Sequence, residues 1–336
     1  MALPPRPLVV PIFFPGLESA LMTDREWQAL DAVADLPDRT PVAISQTEEA
    51  AERLGDATVL FSSWGCPPID AAILDLAPKL QLITHAAGTV KGLVTAELWE
   101  RGVRVCSAAA ANAVPVAEFT VAAVLLANKD AFASNQRYHA SGAAAARVGP
   151  SVGNRNKTVG IIGASRIGRL VIDLLKPFDL EVLLFDPLID AVDADTLNVR
   201  AVGLDQLLQQ SDVVSIHAPL LPETVGMIGR RELSCMRTGT TLINTARGRI
   251  CDATALEAEL ASGRILGVID TSEPDPLPDD SPLRGLTNVF LTPHIAGSLG
   301  TELPRMAQLA IDEIARFAAG EKLLHEVLPD ELERMA

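Results

Sequence analysis

Val159-Gly160-Ile161-Ile162-Gly163-Ala164-Ser165-Arg166-Ile167-Gly168 is the stretch whose reading decides the fold. A short apolar run ends in a glycine turn, and an amphipathic segment opens near Arg166. Strand, turn and helix in that order open a dinucleotide-binding βαβ unit, where backbone N–H groups and a helix N-terminus meet a pyrophosphate. The usual spacing is G-x-G-x-x-G, and here Ser165 stands at the middle glycine. Its Cβ and hydroxyl occupy the point of closest approach to a phosphate. The residue therefore either costs affinity or repays it with a hydroxyl hydrogen bond. Turns of this kind also occur as bare βαβ connections, so the rest of the chain decides.

Downstream, a cofactor reading requires an acidic residue at the end of the next strand, to accept ribose hydroxyls. Asp186 closes Glu181-Val182-Leu183-Leu184-Phe185, 23 positions after Gly163. Pro187-Leu188-Ile189 supplies no arginine for a 2′-phosphate, which favours NAD over NADP. Further strands are expected at Asp212–His217, Thr240–Asn244, Ile265–Ile269 and Asn288–Leu291. Helices are expected at Leu204–Gln210, Arg231–Met236 and Thr254–Ser262. Three strand ends carry chemistry. Asn244-Thr245-Ala246-Arg247-Gly248 offers a planar guanidinium to a carboxylate. Asp270-Thr271-Ser272-Glu273-Pro274-Asp275 offers carboxylates, and Thr292-Pro293-His294 a histidine that core packing does not explain. Ligands of open parallel sheets bind outside the carboxyl ends of the strands. There, arginine, carboxylate and histidine can hold a substrate carboxylate and move a proton at oxygen.

Upstream, short apolar runs at Leu8–Phe13, Pro41–Ile44, Ala57–Phe61, Leu80–Ala86 and Val103–Cys106 read as strands. Helical stretches lie between them, at Glu18 to about Leu36, Ile69–Ala77 and Thr95–Arg101. Alternation at this interval implies α/β architecture with parallel sheets. Asn112 is expected to cap a helix with Pro115 in its first turn, and Val116–Leu126 is apolar almost all round. Ala131–Lys157 reads as a polar connection with a short helix of its own or as an arm over a partner. A last helix from about Leu303 sets Met306, Ala310, Ile314 and Phe317 on one face.

The 336 residues suffice for two domains. A net charge of -15 argues against nucleic acid or an anionic membrane as the main partner. Cys66, Cys106, Cys235 and Cys251 show no C-x-x-C spacing, so no metal site or disulfide is expected. No basic leader and no run of about 18 uninterrupted apolar residues occurs. The expectation is a soluble, cytoplasmic protein.

Taken together these motifs resemble the NAD-dependent D-2-hydroxyacid dehydrogenases, in the right order over most of the chain. Besides the stretches above, Asn112-Ala113-Val114-Pro115-Val116-Ala117-Glu118 is similar to the family's interdomain helix start. Ser215-Ile216-His217-Ala218-Pro219-Leu220 with Pro222-Glu223-Thr224 resembles its mid-domain strand and loop. The resemblance implies two doubly wound parallel-sheet domains. One is a flavodoxin-like substrate domain, residues 1–114 plus 298–336, and the other an inserted Rossmann NAD-binding domain, residues 115–297. It implies hydride transfer between NAD(H) and a small 2-oxo or 2-hydroxy acid, and a homodimer. Arg247 would bind the substrate, His294 would be the general acid/base and Asp275 its carboxylate partner. The family usually has glutamate at that position, so here the pairing side chain is one methylene shorter.

By the same resemblance NAD would meet Gly163, Ser165, Arg166, Ile167, Gly168 and Asp186 at the nucleotide turn. His217, Ala218, Thr224, Thr245, Ala246, Asp270, His294 and Gly297 would complete its site, with Asp270 holding the nicotinamide carboxamide. Ala87, Gly88, Thr89 and Asn112 would bind the substrate, in a loop that carries Val90 where the family commonly has aspartate. Trp64 either lines the substrate pocket or packs in the core. Three other readings compete. They are a formate- or phosphite-type dehydrogenase, disfavoured by Asp275; a non-catalytic NAD sensor; and a generic two-domain binding protein, which leaves the strand-end cluster unexplained.

Overall fold

Buried parallel strands need apolar side chains on both faces, and four of the five upstream runs supply them. The computed structural model describes residues 6–42, 48–142, 149–332 and 335. The chain divides into two units, Met1–Asn112 with Ser298–Ala336, and Ala113–Gly297. In the first unit, β1 (Val9–Ile12), β2 (Val59–Ser62), β3 (Leu82–His85) and β4 (Arg104–Ser107) form one parallel sheet in that order. Alternate side chains feed two cores. Val9, Val59, Phe61, Leu82 and Cys106 pack with Met306, Ala310 and Ile314 of the C-terminal helix Leu303–Ala319. Val10, Ile12, Leu60, Ile83 and Val105 pack on the other face with Leu54, Ile73, Leu74 and Leu98.

The helices of this unit are α1 (Glu18–Leu21), α2 (Asp24–Val33), α3 (Glu48–Leu54), α4 (Ala71–Leu76) and α5 (Ala96–Glu100). The single helix expected from Glu18 to Leu36 is two. Thr23 breaks it, because its side chain accepts from Arg25 N while the Glu26 carboxylate accepts Thr23 N–H at 3.1 Å. Such a capping box starts a helix afresh. Pro41 and Val42 are not a strand, although Val42 N–H donates to Pro11 O at 2.9 Å, and residues 43 and 44 lie outside the described residues. The long apolar helix α6 (Ala109–Asn128) starts earlier than expected, with Asn112 and Pro115 inside it. Ser107, not Asn112, supplies the cap: its Oγ accepts Ala109 N–H at 3.1 Å. The unit boundary accordingly falls at residues 112 and 113, two residues before the expected one.

In the second unit all seven strands are parallel. They are β5 (Lys157–Ile162), β6 (Leu180–Phe185), β7 (Arg200–Ala201), β8 (Val213–Ile216), β9 (Thr241–Asn244), β10 (Leu266–Ile269) and β11 (Val289–Leu291). Their order is β11-β10-β9-β8-β5-β6-β7, so the winding reverses between β5 and β8. That is the point at which doubly wound sheets bind ligands. The helices are α7 (Ala131–Ser141), α8 (Arg166–Leu175), α9 (Ala191–Leu197), α10 (Leu204–Gln210), α11 (Arg230–Cys235) and α12 (Ala253–Ala261). β7 and α9 occupy a stretch to which the sequence pattern assigns no element. Residues 143–148 of the expected polar connection lie outside the described residues. By length and apolarity alone α6 would pass as a membrane span. Its Ala117, Val121, Ala123 and Val124 instead pack into the core beside Val159 and Ile161.

Candidate active site

β5 delivers the chain to Gly163, whose φ of +98° is one that side chains rarely adopt. A Cβ there would stand 2.6 Å from Ala218 N, on the loop after β8. A Cβ on Gly168, in the first turn of α8, would stand 2.1 Å from Gly163 O. Backbone thus meets backbone across the switch point, leaving a cradle of the kind a pyrophosphate fills. The middle position makes no such demand. Ser165 has φ −62° and ψ 176°, caps α8, and accepts Gly168 N–H through Oγ at 3.4 Å. Its own hydroxyl hydrogen remains to be donated at the mouth of the helix. Ser165→Ala is therefore expected to weaken NADH binding about fivefold, the value of one hydrogen bond near 1 kcal/mol. Fluorescence titration reads this, and equal or tighter binding by the variant would refute the donor role.

Asp186 lies just beyond β6. Its Oδ2 accepts Ala164 N–H at 2.7 Å and its Oδ1 accepts Leu188 N–H at 2.8 Å. A carboxylate has about four acceptor positions, so capacity for ribose hydroxyls remains, and its charge repels a 2′-phosphate. Arg166 opens α8 on the exposed side, and Ile167 lies half-buried against the core. His217 is fully buried behind the turn, with Nε2 2.9 Å from Ser215 Oγ, and burial pushes its pKa down to about 3. It is neutral and structural in character. The Thr224 hydroxyl is spent in its own loop, donating to Pro219 O at 2.6 Å and accepting Leu221 N–H at 2.8 Å.

The catalytic candidates of this unit meet at the carboxyl ends of β9, β10 and β11. Asn244 staples the first loop: Oδ1 accepts Ala246 N–H at 3.1 Å, and Nδ2 donates to Arg247 O at 3.0 Å. Thr245 Oγ1 lies 3.1 Å from Thr120 Oγ1 of α6, which fixes the loop from behind. Arg247 spends one N–H on Ala246 O at 2.7 Å and keeps the others. Burial lowers its proton affinity, and the negative charge of Asp275 pulls the other way.

His294 Nδ1 lies 2.7 Å from Asp275 Oδ2. One nitrogen is thus tied to the carboxylate and Nε2 is left for a substrate oxygen. The shorter aspartate reaches the histidine without a gap. His294 has φ +57°, a left-handed conformation uncommon outside glycine, asparagine and aspartate. Asp270 holds it there. The Asp270 carbonyl accepts His294 N–H at 3.0 Å, Oδ1 accepts Ile295 N–H at 2.8 Å and Thr292 Oγ1–H at 2.6 Å, and Oδ2 accepts Ala296 N–H at 3.1 Å. Most of this buried carboxylate's acceptor capacity is therefore used within the protein. Gly297 ends the unit.

In the other unit, Ala87, Gly88 and Thr89 follow β3. Ser63 Oγ donates to Ala86 O at 3.0 Å and Ser107 Oγ to Gly88 O. Asn112 Oδ1 accepts Ser298 N–H at 2.8 Å, which turns the amide so that Nδ2 lies 3.5 Å from the position of a Gly88 Cβ. Its NH₂ donors thus lie beside Gly88. Val90, in the place of the family's aspartate, is completely buried in the core. Trp64 stands on the separate loop after β2 and is 40% exposed, so it does not serve as a core residue. Sequence reasoning missed Asn244, Ser107 and the approach of Gly248 to Ser272. Only the polar run Asn244-Thr245 beside Arg247 signals any of them. Among the described residues no cluster of His, Cys, Asp and Glu could hold a metal, and the four cysteines are free.

Residues 121–296 match the family model described as D-isomer specific 2-hydroxyacid dehydrogenase, NAD binding domain. A glyoxylate reductase of Korarchaeum cryptofilum is 33% identical over 80% of this chain and 82% of its own length. A D-3-phosphoglycerate dehydrogenase of Archaeoglobus fulgidus is 31% identical over 75% of this chain, but only 48% of its own length is matched. Among solved structures, apo D-mandelate dehydrogenase of Rhodotorula graminis shares the fold, with a TM-score of 0.81 at 23% identity over 96% of this chain and 98% of that one. The chain belongs to the D-isomer-specific 2-hydroxyacid dehydrogenase family and carries that family's NAD-binding domain.

Proposed function

We propose that the protein reduces a small 2-oxo acid, or oxidises the matching D-2-hydroxy acid, with His294 as general acid/base. The observation that carries this is the 2.7 Å contact of His294 Nδ1 with Asp275. It leaves Nε2 to meet the reacting oxygen, while the Asp275 carboxylate orients the ring. NAD, when bound, supplies or accepts the hydride. In reduction His294 gives its proton to the forming alkoxide oxygen, and Asp275 balances the ring's charge. Arg247 grips the substrate carboxylate with its remaining N–H groups and polarises the carbonyl. In the first unit, backbone N–H groups of residues 87–89 and the Asn112 amide are the groups that bind and orient substrate. Asp270 serves first to hold His294 in register. The nucleotide turn with Asp186 takes NAD in preference to NADP. The enzyme acts in the cytoplasm as a homodimer, a reading supported by the exposed Glu118, Ala122 and Leu126 stripe on α6 and by α7, which buries none of its residues.

A panel of glyoxylate, pyruvate, hydroxypyruvate and bulkier 2-oxo acids, assayed with NADH and NADPH in parallel, tests the assignment. Turnover of at least one acid is expected, with NADH favoured over NADPH by about tenfold or more, since Asp186 leaves a 2′-phosphate unpaired beside a carboxylate. Tight NADH binding without turnover of any acid would refute the enzyme and point to an NAD sensor.

A further inference from the structure

The amino ends of the second unit's strands lie at the opposite edge of the sheet from Arg247 and His294. Lys157 opens β5 there, Asp212 stands just before β8, and Arg237 precedes β9. With the turn that leads into β5, these residues line a cavity of about 460 Å³, within the size range of small-ligand sites. Asp212 is the sole acid among its lining residues, and it faces three cations, Arg155, Lys157 and Arg237. The cavity wall thus carries two positive charges in excess, in a chain whose net charge is -15.

Asp212 does not use up these cations. Its Oδ1 accepts from Lys157 Nζ at 2.9 Å and lies 3.2 Å from an Arg237 nitrogen, while Oδ2 accepts Thr158 N–H at 2.9 Å. A structural staple at a strand entrance needs one cation for one carboxylate, and here two share one oxygen. The Lys157 side chain is only 17% exposed, and an ammonium has three N–H groups to place. Asp212 is its one acceptor among the described residues. Arg155 pairs with Asp179 at 3.3 Å, but both side chains are largely exposed, and such a pair contributes little. Its guanidinium is therefore available to a ligand. Asn154, on the same wall, gives a separate signal. Its Nδ2 donates to Leu125 O at 3.1 Å, which fixes the amide, and its Oδ1 is buried with no partner among the described residues. Cationic donors in excess beside an unmet acceptor call for an anion that also carries an O–H.

We infer that this cavity binds a phosphate group, as inorganic phosphate or a phosphate monoester. Phosphate near neutral pH carries up to about two negative charges, which match the excess on the wall. Its tetrahedral oxygens accept from an ammonium and two guanidinium forks at once. Its own O–H, or a hydroxyl of the esterified group, donates to Asn154 Oδ1. A carboxylate brings one charge and two oxygens and leaves a cation unmet. The site is distinct from the nucleotide turn. β5 runs six residues from Lys157 before it reaches that turn, about 20 Å of extended chain.

The test is calorimetric titration of the NADH-saturated protein with inorganic phosphate and, in parallel, with glycerol 3-phosphate, at ionic strength matched with chloride. Saturating NADH keeps the probe off the nucleotide turn. One-to-one binding of at least one probe is expected, and the tighter of the two identifies the form of phosphate the site takes. Affinity is expected to fall at least about tenfold in the double variant Arg155→Ser/Arg237→Ser, since charge-assisted hydrogen bonds are lost. Both side chains are at least half exposed, so the fold survives the change. Arg231→Ser removes an exposed arginine elsewhere in the unit and is expected to leave affinity within about twofold. Binding that the double variant retains would place phosphate elsewhere, at Arg247 for example, and would overturn the site. An equal loss in Arg231→Ser, or no binding of either probe to the parent, would overturn it as well.

Discussion

Replacing His294 with asparagine is expected to lower kcat by about three orders of magnitude while NADH still binds, within the range that general acid–base catalysis contributes. Asparagine is the informative substitution because of the backbone. His294 sits at φ +57°, and asparagine tolerates that region better than other side chains do. Alanine would add strain of about 1 kcal/mol there and mix a shifted turn with a lost proton donor. The turn itself is anchored by Asp270, which accepts the N–H groups of His294, Ile295 and Ala296. Those bonds do not involve the imidazole, so they survive the change. What disappears is the ionisable nitrogen beside Asp275. Steady-state rates with the best acid of the panel, together with an NADH titration, measure the two quantities separately. Near-normal turnover in His294→Asn would remove His294 from the mechanism.

How far the fold could be read in advance depended on the range of the interactions involved. β8, β9 and β10 fall within a residue or so of the apolar runs that announce them, because a strand covered on both faces must be apolar throughout. Breaks set by local hydrogen-bond competition were harder. Thr23 divides one helical pattern into two through a cap that periodicity does not register. Asn112 has the chemistry of a cap but is claimed by Ser298, 186 residues later in the chain. The site divides in the same way. That Arg247, Asp275 and His294 gather at one edge was legible because they follow β9, β10 and β11, and parallel strands end together, whereas only the resemblance singled out Asp275 from Glu273. Asp270 was placed against the cofactor by the resemblance, and its carboxylate also accepts from Thr292, Ile295 and Ala296. Only the folded turn at His294 creates those donors. Ser165 looked like a missing glycine, and its negative φ shows that backbone conformation alone does not demand one there.

Gly248 leads to the second large expected effect. A Cβ at this position would stand 2.0 Å from Ser272 O, 2.1 Å from Ser272 C and 2.6 Å from Glu273 N. All three are backbone atoms, so no rotamer change relieves the overlap. An alanine must drive the two segments apart by about 1.4 Å or more to reach ordinary contact, at an overpacking cost of about 1–3 kcal/mol. One segment carries Arg247, the residue before Gly248; the other carries Asp275, three residues beyond Ser272 and bonded to His294. Arg247 and the His294–Asp275 pair therefore move relative to one another. A misplacement of about 1 Å can cost roughly a hundredfold in rate even where no reacting group is touched. Gly248→Ala is accordingly expected to lower kcat/KM about a hundredfold, with a fall in Tm of a few degrees. Gly285→Ala is the matched control, because a Cβ there meets nothing within 4 Å. If Gly248→Ala folds and its kcat/KM stays within about twofold of the parent, the two loops do not set the catalytic geometry through this contact. If the folded variant loses kcat/KM as expected while Gly285→Ala does not, they do, and the small residue after the arginine is there to let one backbone lie against another.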